Sequence, residues 1–411
     1  MKINPFKPNS PVPTAMFAGR LKEIEAMEKG LFQTKNKNPQ NFLITGERGI
    51  GKSSLLFIIK PTATGEIKSP DYDHFNFISI NIVISDRTDL VTLIRLINKN
   101  IERSIGKIDT VRKFLSDTWS FVQRIKVMDS GVEKKAEIDN ADILLDDFAW
   151  SLAETCKRVT KPEKGEEAKD GIVFFLDEVD NACPSLHIGY FLKVVTELLQ
   201  KHECNNIMFV VAGLPEVIDK LSKSHESSLR LFIPLNILEL SPDDRYYVIQ
   251  KGLDAGNKIN ETKTTITELA KRQISSLSEG YPHFIQQFAY SAFEYNSDGE
   301  ISEDDVLDGA FCEGGAIDAL GTRYYASAYH EQIKSDEYRQ VLAIMAENMN
   351  SWIKKSDIRS KFSGSEQTLN NALQALTNRK IILKNPSKIG EYRLQQKGFA
   401  LWIKLFGNRR K

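Results

Sequence analysis

The sequence predicts an α/β fold with a parallel sheet at its core, followed by a helical domain and a C-terminal winged helix. Three observations predict it. Over roughly the first 240 residues, apolar runs of strand length alternate with helical patterns, as in a doubly wound sheet. From Ser241 the strand signals stop and helix starts follow one another. From Asp336 onward, three helical stretches lead into two short strands around a turn.

In order, residues 1–40 form a Pro-rich entry and a helix around Leu21–Leu31. Phe42-Leu43-Ile44 is an apolar first strand. Phe75–Val83 alternates and is rich in β-branched residues, which predicts a second. Helical patterns fill 88–160, and Val159–Gly171 reads as an exposed loop. Ile172–Leu176 and Ile207–Ala212 are uninterrupted apolar runs, expected of central strands in a parallel sheet. A helix at 188–202 connects them.

Ser241-Pro242 is an N-cap followed by proline at the first helical position. It opens helices expected at 242–253, 263–278 and 282–295, and Ser302 caps a further one. The glycine-rich stretch Gly309–Gly321 reads as a joint. The last block offers helices at 336–347, 355–361 and 366–380, strands Ile381–Leu383 and Glu391–Leu394, and a final helix ending near Phe406. Three helices and a hairpin make a winged helix. The expected domains are 1–240, 241–320 and 335–411.

Composition is that of a soluble globular chain, with 41% hydrophobic and 27% charged residues among 411. No apolar stretch is long enough to cross a bilayer, and the N-terminus lacks an apolar signal region, so a cytoplasmic location is expected. Cys156, Cys183, Cys204 and Cys312 form no C-x-x-C pair and read as reduced thiols. Net charge is zero, but residues 335–411 hold 15 Lys and Arg against 6 Asp and Glu, a net +9. Such a basic block suggests a nucleic-acid-facing module.

The run Gly46-Glu47-Arg48-Gly49-Ile50-Gly51-Lys52-Ser53 matches the phosphate-loop pattern G-x-x-x-x-G-K-S/T at every fixed position. It lies between a strand and a helix that continues through Ser54. Glycines let successive backbone N–H groups turn toward phosphate oxygens, and the helix start adds its positive dipole end. Lys52 is placed for the β- and γ-phosphates and the Ser53 hydroxyl for Mg²⁺. The expected ligand is therefore ATP with Mg²⁺.

The strand Ile172–Leu176 ends in Asp177-Glu178, the Walker B form. Asp177 suits the metal through water, and Glu178 suits a general base for the attacking water. Phosphoryl transfer also needs a positive charge near the γ-phosphate. Arg230, in Ser227-Ser228-Leu229-Arg230, is the candidate, able to reach a neighbouring subunit's nucleotide. The alternative is an ordinary surface arginine, and Arg245 is a weaker competitor.

These residues resemble the AAA+ and STAND P-loop ATPases and, within them, the origin-recognition initiator-like group. Phe17-Ala18-Gly19-Arg20-Leu21-Lys22-Glu23 is similar to the box that precedes the phosphate loop and lines the adenine, which implies nucleotide roles for Phe17 and Arg20. Leu176-Asp177-Glu178-Val179-Asp180 is similar to the initiator form of Walker B. The helical domain then resembles a lid, and the C-terminal winged helix is shared with initiators and several STAND proteins. Two departures stand out. Val210-Val211-Ala212-Gly213-Leu214-Pro215 offers no polar sensor after its strand. Gly280-Tyr281-Pro282-His283 is closer to the G-x-P motif of STAND proteins, where the proline packs near the base. His283 then has two readings, a phosphate contact or lid packing. A slow nucleotide-controlled switch remains open beside fast turnover.

The winged helix has two readings as well. In a DNA-binding one, the third helix enters the major groove. Here it offers Gln367, Thr368, Asn370, Asn371 and Gln374 for base edges. Lys380, Lys384, Lys388 and Arg393, with Arg409, Arg410 and Lys411, suit phosphates. Trp352, Trp402 and Phe399 read as core. The first function is therefore an ATP-hydrolysing, nucleotide-controlled DNA-binding initiator, loader or regulator acting on double-stranded DNA, with ATP-promoted homo-oligomerisation. The second is a nucleotide-gated signalling or defence scaffold whose winged helix packs on a protein partner.

Overall fold

A computed structural model of the chain describes residues 2–10, 17–72, 74–105, 109–122, 141–348, 351–379, 381–385 and 388–407. The chain divides into two compact units. One spans Arg20–Leu238; the other combines the described part of 1–19 with Glu239–Lys411.

In the first unit, β1 (Asn41–Thr45), β2 (Ile78–Val83), β3 (Ile172–Asp177), β4 (Ile207–Gly213) and β5 (Phe232–Asn236) form one sheet in the order β2-β3-β4-β1-β5. Every neighbouring pair is parallel. The register aligns Ile44 with Ala212, and Val211 with Leu176. β4 therefore separates the strand leading into the phosphate loop from the strand that ends in Asp177.

Burial explains why the central strands are uninterrupted apolar runs. Every residue of β1 and β4, and Ile172–Leu176 of β3, is buried, because helices cover both faces. Phe174 and Phe209 stack at 5.0 Å across the β3–β4 pair. On one face Trp119 meets Phe148 edge-on at 5.7 Å, and its indole N–H donates to Thr155 Oγ1 at 2.9 Å. That bond satisfies the one polar atom of the buried ring.

The second strand is shorter than expected, Ile78–Val83 rather than Phe75–Val83. β5 is not legible in the sequence. It contains Pro234 and exposes Ile233 and Pro234, so it shows neither alternation nor a continuous apolar run. It is an edge strand, where a proline is tolerated.

In the second unit the helices are Pro242–Ile259, Glu268–Ser278, Pro282–Tyr295, Glu303–Phe311 and Ala316–Leu320. Ser241 caps the first through Asp244 N, as expected, and Ser302 with Asp305 forms a capping box on the fourth. The helix expected from 263 begins only at Glu268, because Thr265–Ile266 pairs with Glu300–Ile301 and Thr267 supplies the cap. The glycine-rich stretch is ordered: Ala316–Leu320 runs into two π-helical turns, Gly321–Tyr325 and Ala328–Gln332.

The C-terminal block carries helices Asp336–Glu347, Lys355–Lys361, Glu366–Asn378 and Lys397–Phe406. A three-strand antiparallel sheet, in the order Ile353–Lys354, Glu391–Leu394, Ile382–Lys384, accompanies them. This block packs on the preceding helices within the same unit. Glu279 Oε1 accepts from Gly398 N at 3.1 Å and from Lys397 N, capping the last helix. Tyr325 donates to Gln396 Oε1 at 2.8 Å. Gly321 lies so close to Trp402 that an added Cβ would come within 1.8 Å of the indole. Trp402 and Phe399 are core, as expected.

The boundary at residue 1 needs correction. The N-terminal segment packs on the helical unit, with Phe6 in the notch left by Gly252 and Pro5 against Gly256. Its backbone is tied down by Lys7 N donating to Gln286 Oε1 at 2.9 Å. Among the described residues, no helix is long and apolar enough to cross a membrane.

Candidate nucleotide site

The phosphate loop depends on its glycines. Gly49 and Gly51 have φ of +80° and +105°, where other residues are strained. A Cβ on Gly46 would come 2.8 Å from Ile237 O. Ile50 is buried beneath the loop, whereas Arg48 and Ser53 are exposed and Glu47, Gly49, Gly51, Lys52 and Ser54 are half-buried. The helix Lys52–Thr64 starts from Gly51 with no side-chain cap. Its first N–H groups therefore lack a capping acceptor, the arrangement that receives an anion.

Lys52 Nζ donates to Gly46 O at 2.7 Å and Glu47 O at 3.0 Å. Burial pushes its pKa down. Asp180 opposes that most strongly, followed by Asp177, Glu47 and Glu178. Ser53 Oγ donates to Asp177 Oδ2 at 3.1 Å. Asp177 Oδ1 accepts from Glu178 N at 2.9 Å. The structure thus brings Lys52, Ser53, Asp177 and Glu178 together at the carboxyl ends of the strands, where ligands of open α/β sheets bind.

Glu178 is exposed and has a φ of +55°, a strained region for a glutamate. Asn181 Nδ2 donates to Glu178 Oε2 at 3.3 Å. On the other side of the turn, Asp180 Oδ1 accepts from Leu214 N, just past β4, at 2.9 Å. Lys60 Nζ lies 5.5 Å from the Phe175 ring centroid; burial lowers its pKa and Asp177 opposes the shift.

The Ser53 hydroxyl and Asp177 carboxylate fit Mg²⁺. They converge as one hydroxyl and one acid, and among the described residues no three acidic, His or Cys side chains form a ready-made cage. Mg²⁺ characteristically completes such a shell with water and substrate phosphates.

Arg20 has a φ of +65°, and its guanidinium reaches Ile50 O at 3.2 Å and Leu238 O. It therefore ties the phosphate loop to the chain leaving β5, a task its place in the sequence did not announce. Phe17 and Pro282 lie in the other unit, both half-buried; Pro282 opens the Pro282–Tyr295 helix. His283 is held by packing: Arg323 Nη1 bonds its Nε2 at 3.1 Å, and its ring meets Tyr324 at 5.3 Å. Arg245 is engaged with Leu240 O at 2.8 Å and Ser275 O at 3.2 Å, so it serves helix packing. Arg230 is exposed on a 3-10 turn, Ser228–Leu231.

In the C-terminal block, Gln367, Asn370, Asn371 and Gln374 are all exposed on the Glu366–Asn378 helix, and their spacing puts them on one face. Lys384 is exposed; Lys388 is exposed and 4.0 Å from Glu391. Arg393 stacks 5.0 Å from the Trp352 ring. Lys380, Arg409, Arg410 and Lys411 lie outside the described residues.

Asn181 and Arg323 are the residues that sequence reasoning passed over; they act through partners visible only in three dimensions. Asp180 belongs to the run Leu176–Asp180 but has no role of its own in that reading.

No family model matches the chain, and no curated protein matches it in sequence. Solved structures do. The ORC2 protein of Aeropyrum pernix in its ADPNP-ADP complexes matches at 14% identity with a TM-score of 0.56, over 98% of this chain and 97% of that one. Others match at lower scores. Cdc6p of Pyrobaculum aerophilum matches at 12% identity and TM-score 0.44, covering 98% and 97%. The Aeropyrum pernix ORC1 protein in complex with DNA matches at 13% and 0.43, covering 97% and 95%.

Proposed function

The chain has the fold of the AAA+ origin-recognition proteins, and we propose that it is an ATP-binding, Mg²⁺-dependent ATPase that acts as a nucleotide-controlled DNA-binding initiator, loader or regulator. The observation that carries this reading is the convergence of Lys52 and Ser53 with Asp177 and Glu178, with Ser53 Oγ and Asp177 Oδ2 3.1 Å apart.

The loop N–H groups from Gly46 to Ser54 cradle the phosphates. Lys52 exchanges the carbonyls of Gly46 and Glu47 for β- and γ-phosphate oxygens. Arg20 keeps the loop in register. Mg²⁺, when bound by Ser53 and through water by Asp177, supplies positive charge at the phosphates. Glu178 takes the proton of the attacking water as the bond from the γ-phosphorus to the β–γ bridging oxygen breaks. Arg230, exposed on its turn, is proposed to stabilise the transition-state charge on a neighbouring subunit's nucleotide, which would link hydrolysis to ATP-promoted assembly.

The polar face of Gln367, Asn370, Asn371 and Gln374 supports double-stranded DNA as a partner, because amide side chains can read base edges in the major groove. Lys384 and Lys388 would meet phosphates.

The test is ATP hydrolysis with and without double-stranded DNA across a salt series, with Glu178→Gln as control. DNA stimulation that fades with salt, and its loss in Glu178→Gln with ATP binding kept, are expected. Slow hydrolysis indifferent to DNA would replace this reading with the nucleotide-gated scaffold. Normal turnover by Glu178→Gln would remove Glu178 as base.

A further inference from the structure

We propose that Asp180 is a positioning residue of the nucleotide site: its carboxylate braces the acidic turn against the end of β4, filling the place where β4 itself presents no polar side chain. The inference rests on the nucleotide-site reading above and deepens it.

The location comes from the sheet. β4 lies between β1, which feeds the phosphate loop, and β3, which ends at Asp177. The end of β4 thus stands between the lysine and the two acids. Val211, Ala212 and Gly213 there, and Leu214 just past the strand, carry no polar side-chain atom. Asp180 fills that gap from the neighbouring turn. Its Oδ1 accepts from Leu214 N at 2.9 Å, a partner 34 residues away, so the bond joins two strand ends rather than capping a local turn.

Gly213 makes the approach possible. A Cβ there would come 2.8 Å from Asp180 Oδ1 and 3.2 Å from Asp180 N. The small residue and the acid therefore work as a pair. Asp180 is also the strongest of the acidic groups acting on Lys52, in keeping with a place inside the site.

What needs bracing is Glu178. Its left-handed backbone is strained, and strain of this kind persists only where the surroundings over-determine it. Val179 is fully buried on one side of the turn; the Asp180–Leu214 bond holds the other. Release of that bond lets the turn relax and moves the base away from the attacking water. A misplacement on the order of 1 Å can cost about a hundredfold in rate.

The experiment compares wild type, Asp180→Asn, Asp180→Ala and Gly213→Ala in the full chain. Backbone amide exchange at Leu214 is measured alongside steady-state ATP hydrolysis. Amide protection of the β1 and β3 strands at the wild-type level verifies that each variant has folded. Asp180→Asn keeps an oxygen that accepts from Leu214 N. It is expected to retain both amide protection and most of kcat. Asp180→Ala and Gly213→Ala are expected to lose protection and to drop kcat by about tenfold or more with KM little changed.

Three results overturn the proposal: Leu214 protection unchanged in Asp180→Ala; protection lost without a fall in kcat; or Asp180→Asn as damaged as Asp180→Ala, which would make charge rather than the hydrogen bond the working feature. Absence of hydrolysis in wild type is a different failure. It would remove the ATPase reading, and the exchange data alone would then decide whether the brace exists.

Discussion

Ser53 Oγ donates to Asp177 Oδ2 at 3.1 Å, joining two residues 124 positions apart, one on the helix that follows β1 and the other at the end of β3, with β4 between those strands. The hydroxyl and the carboxylate hold each other where a divalent cation would share them. Ser53→Ala should therefore weaken ATP binding in the presence of Mg²⁺ and change it little in EDTA. A lost charge-assisted hydrogen bond is worth about 1.5–3 kcal/mol, or roughly ten- to hundredfold in affinity. Titration of a fluorescent ATP analogue with and without Mg²⁺ checks this; equal weakening in both would place Ser53 outside the cation shell.

Lys52 gives a pH dependence with a definite sign. Burial lowers its pKa, so the charged form that phosphate needs begins to disappear below the ordinary lysine range. Without nucleotide, the unfolded chain binds the proton more tightly, so this group makes the protein more stable as pH rises through that window. ADP affinity should begin to fall before pH reaches the ordinary lysine range, while Lys52→Ala binds weakly throughout. Calorimetric titration across the range would expose a flat wild-type profile, which would contradict the assignment.

Glu279 is the second titration to test. Burial raises its pKa, and the Gly398 and Lys397 N–H groups oppose the shift. A carboxyl raised in the folded state contributes most at acid pH. Its contribution declines as pH climbs from the ordinary carboxylate range through the raised value. Glu279→Gln should flatten that part of the stability profile. Glu279→Ala leaves two N–H donors without their acceptor, a loss of about 1–3 kcal/mol. Urea denaturation at several pH values separates the two variants.

Gly321→Ala would push a methyl group to within 1.8 Å of the Trp402 indole. Overpacking of this kind costs about 1–3 kcal/mol. A lower urea midpoint is expected, with Trp402 fluorescence altered in the native state. An unchanged midpoint would mean that the helices slide apart without cost.

On DNA, Asn370→Ala and Lys388→Ala should behave differently. Loss of a base-edge contact costs about 1–3 kcal/mol and relaxes sequence preference, whereas loss of a phosphate contact weakens all sequences alike and lowers the salt slope by about one. Binding measured over a salt series with two unrelated duplexes distinguishes them. Identical behaviour of both variants would argue against a reading role for the Gln367–Gln374 face.

Much of the site is legible in the sequence because its parts are contiguous. The phosphate loop needs glycines, lysine and serine at fixed offsets, and the backbone conformation that uses them, with Gly49 and Gly51 left-handed, is a local property. The acidic pair follows directly from a buried apolar strand. Ser241 and Ser302 announce helix starts for the same reason: capping is settled within four residues. β5 escaped notice because an edge strand is freed from the pattern that marks a buried one.

By itself, the sequence determined a glycine-rich turn between a strand and a helix, an acidic strand end, an α/β core and a helical C-terminal half, all set by near neighbours and by periodicity. Only the tertiary structure decided that β4 stands between loop and acids, that Asp180 reaches Leu214 across that gap, that Arg20 grips carbonyls at Ile50 and Leu238, and that Glu279 caps a helix 118 residues later. The physical reason is common to all four. Each joins a side chain to a backbone group or strand end whose place is set by the packing of distant segments, and backbone groups are the same in every residue. No residue type at the receiving end marks the partner in advance.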